Sequence, residues 1–175
     1  MVFSRRSVFR GRIIELAVED VELPNGNRAE MEIVHHPGGA AVVALDARQR
    51  VCLLHQYRHA LGAWVWELPA GKLEPDEPPA ETARRELLEE AGVYAGRWDG
   101  LGEVISSPGV FTEVVHLYLA RDLRTGQDAV EDHEVFERHW LPLEDALRDA
   151  VHGELVDAKT VIGLLRAGAL LGEGR

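Results

Sequence analysis

The sequence predicts an α/β fold with an N-terminal antiparallel β-sheet extension. Three observations carry this prediction: partly alternating segments around a Pro-Asn-Gly-Asn turn, continuous apolar runs of strand length after residue 37, and a later amphipathic helix rich in glutamate. The 175 residues allow one domain of ordinary size with a small extension, and 46% hydrophobic residues support a real core.

The first segments of the chain have the pattern of an antiparallel sheet. The turn Pro24 to Asn27 is typical of a hairpin, and it joins two segments in which apolar and polar residues partly alternate. After His36 the sequence changes from partly alternating segments to continuous apolar runs, and this change marks the start of the main body. We therefore predict an N-terminal antiparallel sheet over residues 1–36 and a main domain over residues 37–175. The predicted strand segments of the extension are Ser7 to Arg12, Ile13 to Leu23 and Arg28 to His35.

The main body begins with apolar runs that predict buried strands, because a strand covered on both faces needs no polar alternation. A polar turn at Asp46 to Gln49 separates the first two of these runs. The predicted strands are Ala40 to Leu45, Val51 to Tyr57, Trp64 to Leu68, Gly100 to Ser106, Val114 to Ala120 and Phe136 to Pro142, and the last helical regions are Glu144 to Gly153 and Lys159 to Ala169.

Between these strands the chain predicts an amphipathic helix. Pro78 and Pro79 suit its first turn, Asp76 is a candidate cap, and Gly92 suits the position just past its end. At about 100° per residue, a stripe of small and apolar side chains lies directly beside a group of carboxylates. The stripe consists of Ala80, Ala83, Leu87 and Ala91, and the carboxylates are Glu86, Glu89 and Glu90.

This grouping of carboxylates predicts a metal site. Glu86 and Glu90 lie one turn apart and repel each other, and a divalent cation would remove that repulsion. Oxygen ligands without His or Cys suit Mg²⁺ or Mn²⁺ rather than zinc, and Mg²⁺ often binds substrate phosphates as well. The alternative interpretation is an ordinary solvated helix face. The residue types at defined spacings between Gly71 and Gly92 favour the metal site. A phosphate ester or anhydride is then the expected substrate.

These identities resemble the signature of the Nudix hydrolases, which reads Gly, five residues, Glu, seven residues, then Arg-Glu-apolar-any-Glu-Glu-any-Gly-apolar. The resemblance implies a mixed β-sheet sandwiched between helices and hydrolysis of a nucleoside diphosphate linked to another moiety. It also implies two or more bound Mg²⁺ or Mn²⁺ ions. The matching residues are Gly71, Glu77, Arg85, Glu86, Leu87, Glu89, Glu90, Gly92 and Val93.

The resemblance also implies roles for individual residues of this sequence. Glu86 and Glu90 are the implied principal metal ligands, Glu89 a further ligand or water contact, and the Ala70 carbonyl another oxygen ligand. Arg85 is implied to hold the carboxylates by ion pairing. Gly71 and Gly92 are expected to serve backbone conformation rather than chemistry.

A second segment is similar to the ADP-ribose pyrophosphatase branch of the family. It contains Ser107-Pro108-Gly109 followed after three residues by Glu113, although a plain Pro-Gly turn between strands is an alternative. The branch implies ADP-ribose as substrate, with AMP and ribose 5-phosphate as products. It further implies that Arg58 binds a phosphate and that Glu113 and the Gly109 backbone bind a ribose. Another nucleotide sugar, NADH or a dinucleoside polyphosphate remains an alternative substrate, and a non-catalytic nucleotide sensor an alternative function.

Members of this branch are homodimers whose N-terminal sheets complete the adenine site. The resemblance therefore implies a homodimer interface at residues 1–34 and adenine contacts from Arg12 and Ile13. A sheet with no interface role is the alternative. For catalysis, the resemblance implies attack of a metal-activated water on one phosphorus. The acidic loop Glu131 to Glu134 occupies the sequence position where this branch has a mobile catalytic glutamate. Alignment on Trp140 favours Glu134 over Glu131 as the base, while Glu89 or a mechanism without a base remains open.

Composition excludes several other classes of function. The formal net charge of −11 disfavours a nucleic-acid partner, which a basic patch would attract. No apolar run approaches the length of a membrane span, so we expect no membrane partner and a soluble cytoplasmic protein. The single cysteine, Cys52, lies in an apolar run and is expected to be a buried thiol.

Overall fold

A computed structural model describes residues 1–126 and 135–173 of the chain. The described elements include both strands and helices, as the sequence predicts. In chain order they are β1 (Val2–Arg10), β2 (Glu15–Glu22), β3 (Arg28–His35), β4 (Gly39–Ala44), β5 (Arg50–Arg58), β6 (Ala63–Glu67), β7 (Ala70–Lys72), α1 (Pro79–Ala91), β8 (Val93–Ile105), β9 (Val114–Thr125), β10 (Phe136–Pro142), α2 (Leu143–His152) and α3 (Ala158–Glu173).

The chain divides into two compact units, and the first consists of Met1–Gly38 with Ile105–Val114. Its antiparallel sheet has the strand order β1-β2-β3, which confirms the predicted N-terminal sheet. In the turn between β2 and β3, Gly26 has a φ of 82°, a backbone conformation that glycine adopts without strain. β1 begins at Val2, earlier than the predicted Ser7, because its exposed residues pair with β2 as far as Val21 without presenting a buried face.

The second unit, Gly39–Val104 with Val115–Arg175, contains two further sheets. One is mixed, with the order β7-β4-β9-β8, in which β4 runs parallel to β9 and antiparallel to β7. The other is antiparallel, with the order β10-β5-β6. Thus the chain has the mixed sheet that the family resemblance implies.

Helices cover the mixed sheet on both faces, and β4 shows how. Its six residues are all buried, and successive side chains point to opposite faces of the sheet. Val42 belongs to the apolar cluster that contains Leu87 of α1, whereas Val43 belongs to the cluster that contains Leu164 of α3. This layering of helix, sheet and helix confirms the predicted fold class. It also packs α1 against one face of the mixed sheet, on the side opposite to α3.

Helix α1 follows the predicted boundaries closely, with one exception. Pro78 is the cap, Pro79 is the first helical residue, and Gly92 ends the helix with a left-handed φ of 66°. The expectation that Asp76 caps the helix is wrong: Asp76 has a φ of 62° within the preceding loop, and no side chain caps the helix. The extended backbone of Pro78 makes the chain turn into the helix without a side-chain acceptor.

Two other elements differ from the predictions. β8 begins at Val93 rather than at Gly100, and the short strand β7 was not predicted. Both segments are rich in exposed or half-buried residues, so their apolar pattern is weak. Cys52 is a buried free thiol as expected, and burial raises its pKa to about 12. Among the described residues, no helix is long and apolar enough to cross a membrane.

Candidate active site

The carboxylates of α1 do not form a solvated face. Glu86 is 7% exposed and Glu90 is 1% exposed, because they flank the stripe that packs on the mixed sheet. Two ionised carboxylates one helical turn apart are costly to bury unless cations or donors compensate them. Their burial therefore indicates a function that a plain structural helix does not require.

Glu86 lies against the short strand β7. A Cβ atom added to Gly71 would lie 1.8 Å from Oε1 and 2.1 Å from Cδ of Glu86. The φ of Gly71 is not in the left-handed region, so backbone conformation does not require glycine at this position. The expectation that Gly71 serves backbone conformation is therefore wrong, and its role is to leave space for the Glu86 carboxylate. Gly92, in contrast, does have the left-handed conformation.

Glu90 lies against the beginning of the same strand. The Ala70 N–H donates a hydrogen bond of 2.6 Å to its Oε2 atom. Behind it, Arg138 of β10 donates from Nε to the backbone carbonyl of Glu90 at 2.6 Å and so fixes the last turn of α1. The Val42 N–H donates to the Pro69 carbonyl at 2.9 Å, which ties the strand entry to β4. These hydrogen bonds hold the Glu90 carboxylate and the backbone around Ala70 in a fixed position relative to each other.

Arg85 contacts three carboxylates at once. Its Nη1 atom lies 2.6 Å from Oε1 of Glu86 and 3.0 Å from Oε2 of Glu89. On the other side, Nε and Nη2 each donate to Glu77 at 3.1 Å. These bonds from Arg85, with a further one from Thr82, lower the pKa of Glu77 to about 2 against the effect of its partial burial. The Glu77 bonds also raise the pKa of Arg85, so both groups stay ionised.

The donor set of this cluster suits a hard divalent cation. One guanidinium faces three carboxylates, and buried Glu90 adds a fourth nearby, so negative charge dominates. Within residues 1–126 and 135–173, no three acidic, His or Cys side chains are arranged around one metal position. Arg85 and the Ala70 N–H donate to these carboxylates, and since an ionised carboxylate has about four lone-pair sites, such hydrogen bonds orient it without preventing it from binding a cation.

Arg58, the predicted phosphate ligand, lies at the end of β5 in a second ionic cluster. Its Nε and Nη2 atoms donate to the two oxygens of Glu67 at 2.7 and 2.8 Å. Lys159 of α3 also donates to Glu67 and lies 3.1 Å from Asp157. Neither Glu67 nor Lys159 was predicted to belong to a site. The sequence signal that could have found them is that the segments Trp66 to Gly71 and Asp157 to Thr160 are also similar to the ADP-ribose pyrophosphatase branch.

The other predicted ligand contacts belong to the first unit. A cavity of about 300 Å³ opens there, and Ile13 lines it, with Arg12 beside it in the chain. Glu113 lies 3.5 Å from Nδ1 of His36, an atom that also accepts the Gly38 N–H at 3.0 Å. Burial lowers the pKa of His36 against the opposing charge of Glu113. Gly109 lies in the turn before Glu113, and a Cβ there would meet no atom within 4 Å.

The structure therefore brings some of the predicted site residues together and places others in a different unit. It brings Ala70, Arg85, Glu86, Glu89 and Glu90 together in the second unit, where Arg58 also lies. Arg12, Ile13, Gly109 and Glu113 all belong to the first unit. Glu134 and Glu131, the two residues considered as the base, lie outside the described residues.

Known proteins give an independent test of the family. The model of the NUDIX domain matches residues 35–159. A Bacillus subtilis protein named ADP-ribose pyrophosphatase is 39% identical over 92% of this chain and 88% of its own length. A Bacillus methanolicus protein named methanol dehydrogenase activator is 40% identical over 90% of this chain and 86% of its own.

A solved structure supports the fold alone. The crystal structure of an ADP compounds hydrolase superposes with a TM-score of 0.83, covering 100% of this chain and 96% of that one, at 24% sequence identity. The mixed sheet, the intact signature on α1 and the match over most of the chain agree with each other. The chain belongs to the Nudix family and is one of its hydrolases.

Proposed function

We propose that this protein hydrolyses the diphosphate bond of ADP-ribose to AMP and ribose 5-phosphate and that it requires Mg²⁺ or Mn²⁺. The observation that supports the chemistry is the burial of Glu86 and Glu90 against the β7 strand, beside a cluster in which acids outnumber cations. The similarity to a protein named ADP-ribose pyrophosphatase over most of the chain supports the substrate.

The metal ligands of this proposal are Glu86, Glu90, Glu89 and the Ala70 carbonyl. All four are oxygen donors, which is the preference of Mg²⁺ and Mn²⁺. Bound cations would supply charge neutralisation on the phosphoryl oxygens and lower the pKa of an attacking water. Arg85 holds Glu86 and Glu89 in place, since one of its nitrogen atoms contacts both carboxylates.

Other residues act on the substrate itself. Arg58 presents a planar guanidinium that binds phosphate oxygens through two parallel hydrogen bonds. Glu134 is the proposed general base, whose carboxylate takes a proton from the attacking water. Glu134 lies outside the described residues, so this role rests on the sequence alone.

The first unit supplies the nucleoside contacts in this proposal. Arg12 and Ile13 bind adenine, and the Gly109 backbone with Glu113 binds a ribose. Exposed apolar residues on the sheet support an interface between two copies of the chain, because such residues are normally covered by a partner. They are Val2, Phe3, Val8, Phe9, Ile13 and Ile14. We therefore propose a homodimer formed through this sheet.

A substrate panel tests the proposal. Phosphate release with a coupled phosphatase is measured for ADP-ribose, NADH, ADP-glucose, a diadenosine polyphosphate and 8-oxo-dGTP, each with and without Mg²⁺. We expect ADP-ribose to give the highest kcat/KM and chelation of the metal to abolish turnover. A preference for one of the other four would replace ADP-ribose by that nucleoside diphosphate derivative. Turnover of none of them, combined with tight binding of ADP-ribose, would instead identify a nucleotide sensor.

A further inference from the structure

Glu67 and Lys159 form an ion-pair cluster with Arg58, in which Glu67 binds both cations. We propose that this pair positions the Arg58 guanidinium and preserves its positive charge for a phosphate group of the substrate. The inference rests on the proposed function, since it adds positioning residues to the phosphate contact of that reaction. The geometry, burial and charge of the Arg58-Glu67-Lys159 cluster support it.

The geometry fixes the orientation of Arg58. Both oxygens of Glu67 accept from it, through Nε at 2.7 Å and Nη2 at 2.8 Å, so the guanidinium plane cannot rotate without breaking two bonds. A guanidinium has five N–H donors, and Glu67 uses two of them. The Arg58 side chain is 43% exposed, so its remaining donors can reach a ligand.

The burial of Glu67 makes it an anchor rather than a ligand. Its side chain is 5% exposed, compared with 43% for Arg58. Burial alone would raise the pKa of Glu67, but the Arg58 hydrogen bonds and the Lys159 charge and hydrogen bond lower it to about 2. The carboxylate is therefore ionised at neutral pH, and it carries no proton that it could donate in catalysis. It acts on the substrate only through Arg58.

Lys159 changes the charge of the cluster. Two carboxylates of this cluster, Glu67 and Asp157, act on Arg58, and without Lys159 they would outnumber it. Lys159 donates to Glu67 and lies 3.1 Å from Asp157, so the four side chains carry two positive and two negative charges. Arg58 is the most exposed of the four, and loss of Lys159 would leave it beside a net negative charge that repels a phosphate. The other Asp157 oxygen accepts from the backbone N–H and the hydroxyl of Thr160.

The same helix turn also holds the chain that leads to the carboxylates of α1. The Thr160 hydroxyl donates to Asp157 at 2.6 Å and accepts the Leu68 N–H at 2.9 Å. Leu68 directly follows Glu67 and precedes the Pro69-Ala70-Gly71 entry of β7. The first turn of α3 therefore makes two separable contacts: Thr160 binds backbone, and Lys159 supplies charge. This separation provides a matched pair of variants.

The test compares Lys159→Met with Lys159→Arg and Thr160→Val. Met retains most of the length of Lys without its charge, and Arg retains the charge. Thr160→Val removes the two hydroxyl hydrogen bonds, with the Leu68 N–H and with Asp157, but keeps every charged group of the cluster. For Lys159→Met we expect the KM for ADP-ribose to rise about tenfold with kcat within about twofold, as for the loss of a residue that supports a ligand contact. Lys159→Arg should restore the wild-type KM. Thr160→Val should lower the thermal stability and leave KM unchanged.

A binding measurement separates this inference from the proposed function. Titration calorimetry with ADP in the absence of turnover reports the diphosphate contact whether or not ADP-ribose is the substrate. We expect Lys159→Met to weaken ADP about tenfold and to reduce the salt dependence of binding. Unchanged ADP affinity in a folded Lys159→Met protein would overturn the inference, even if the wild type hydrolyses ADP-ribose. Weakened ADP binding in a protein inactive on ADP-ribose would preserve the inference and reject the proposed substrate.

Equal effects of Thr160→Val and Lys159→Met on KM would also overturn the inference, because they would show a structural role for the whole helix turn. Glu67→Gln gives a further check. It keeps the shape of the side chain but loses one acceptor oxygen and the charge, so Arg58 should lose its fixed orientation. We expect a higher KM, and Lys159→Met in that background should add little, since both changes act on the same contact.

Discussion

Two arginines of the second unit each contact buried or half-buried glutamates, and the balance of charge around them differs. Around Arg85, one guanidinium faces Glu77, Glu86 and Glu89. Around Glu67, the guanidinium of Arg58 and the ammonium of Lys159 share one carboxylate, and Asp157 is a second acid beside Lys159. In each cluster one glutamate has its pKa lowered to about 2 by its ion-pair partners, so both glutamates are ionised at neutral pH.

Ion pairs alone do not distinguish the clusters; the net charge and the exposed group do. The Arg85 cluster has acids in excess and suits a cation, whereas the Arg58 cluster is balanced by Lys159 and exposes a guanidinium that suits an anion. A metal-phosphate substrate requires both. Changes that alter the net charge of a cluster should therefore affect activity, and changes that alter only the pairing should affect stability.

The largest effect is expected for Glu90→Gln, which removes charge from the acid-rich cluster but retains an acceptor for the Ala70 N–H. A bound metal contributes several kcal/mol to transition-state stabilisation, and each 1.36 kcal/mol changes the rate tenfold. We therefore expect kcat/KM to fall by about 10³-fold. The free energy of unfolding should not decrease, because the change removes a buried charge that repels Glu86.

The matched control is Glu81→Gln on the same helix, where the carboxylate is 59% exposed and pairs with Arg84. It should leave kcat/KM within about twofold, as surface substitutions usually do. Steady-state kinetics across Mg²⁺ concentrations and chemical denaturation provide both readouts. Near wild-type activity of Glu90→Gln would show that the acid-rich cluster does not serve a cation.

A smaller effect is expected for Glu134→Gln, whose role as the base rests on the sequence alone. Loss of a general base typically lowers turnover by about 10²-fold or more. Because Glu134 is proposed neither as a metal ligand nor as a phosphate contact, the Mg²⁺ dependence and the affinity for ADP should stay at wild-type values. Glu131→Gln, three residues earlier in the same acidic loop, is the control. A loss of turnover in Glu131→Gln and none in Glu134→Gln would assign the role of general base to Glu131. No loss in either variant would leave Glu89 as the base or a mechanism without a base.

Gly71→Ala tests the space beside Glu86 and should have an intermediate effect. The added Cβ would lie 1.8 Å from Oε1, so the carboxylate must move, although the backbone conformation suits alanine. We expect the activating Mg²⁺ concentration to rise by about tenfold or more, as for changes that misplace a metal ligand. Gly100→Ala, whose Cβ would meet no atom within 4 Å, should behave as the wild type. Unchanged Mg²⁺ dependence of Gly71→Ala would mean that the position of Glu86 is unimportant.

The sequence predicted the acid-rich cluster around Arg85 better than the cluster around Arg58. α1 is local: its stripe, its terminal Gly92 and its glutamates follow one another at helical spacing, so periodicity alone placed Glu86 and Glu90 beside the packed face. The Glu67-Lys159 pair spans 92 residues and joins a strand end to a helix start. No periodic pattern encodes such a contact, so the sequence of one chain could not show it.

The errors have similar physical origins. Gly71 was interpreted as a backbone requirement, but the need for glycine comes from the close approach of Glu86 in three dimensions. Asp76 has the residue type of a cap, yet a proline turn already directs the chain into α1. In the first unit, the antiparallel pairing was predictable from the turn chemistry. The ligand roles of Arg12, Ile13, Gly109 and Glu113 stay predictions, because they depend on groups outside the chain.

The smallest effect, on stability rather than activity, is expected for Glu77→Gln. Arg85 and Thr82 hold the pKa of Glu77 at about 2, below its ordinary value of 4.5. A carboxylate whose pKa is lowered by folding stabilises the fold above its unfolded pKa and loses this contribution as the pH falls from about 4.5 to about 2. We expect Glu77→Gln to cost about 1 kcal/mol of unfolding free energy near neutral pH, after discounting for solvent screening.

Urea denaturation at several pH values measures this contribution directly. The difference between wild type and Glu77→Gln should shrink as the pH falls below about 4.5 and should be small near pH 2. Thr82→Val, which removes one donor to Glu77 at 2.8 Å but keeps the charge, should show a weaker form of the same pH dependence. A difference that persists unchanged at pH 2 would locate the effect in packing, and the Arg85-Glu77 pair would then not be an electrostatic support of the acid-rich cluster.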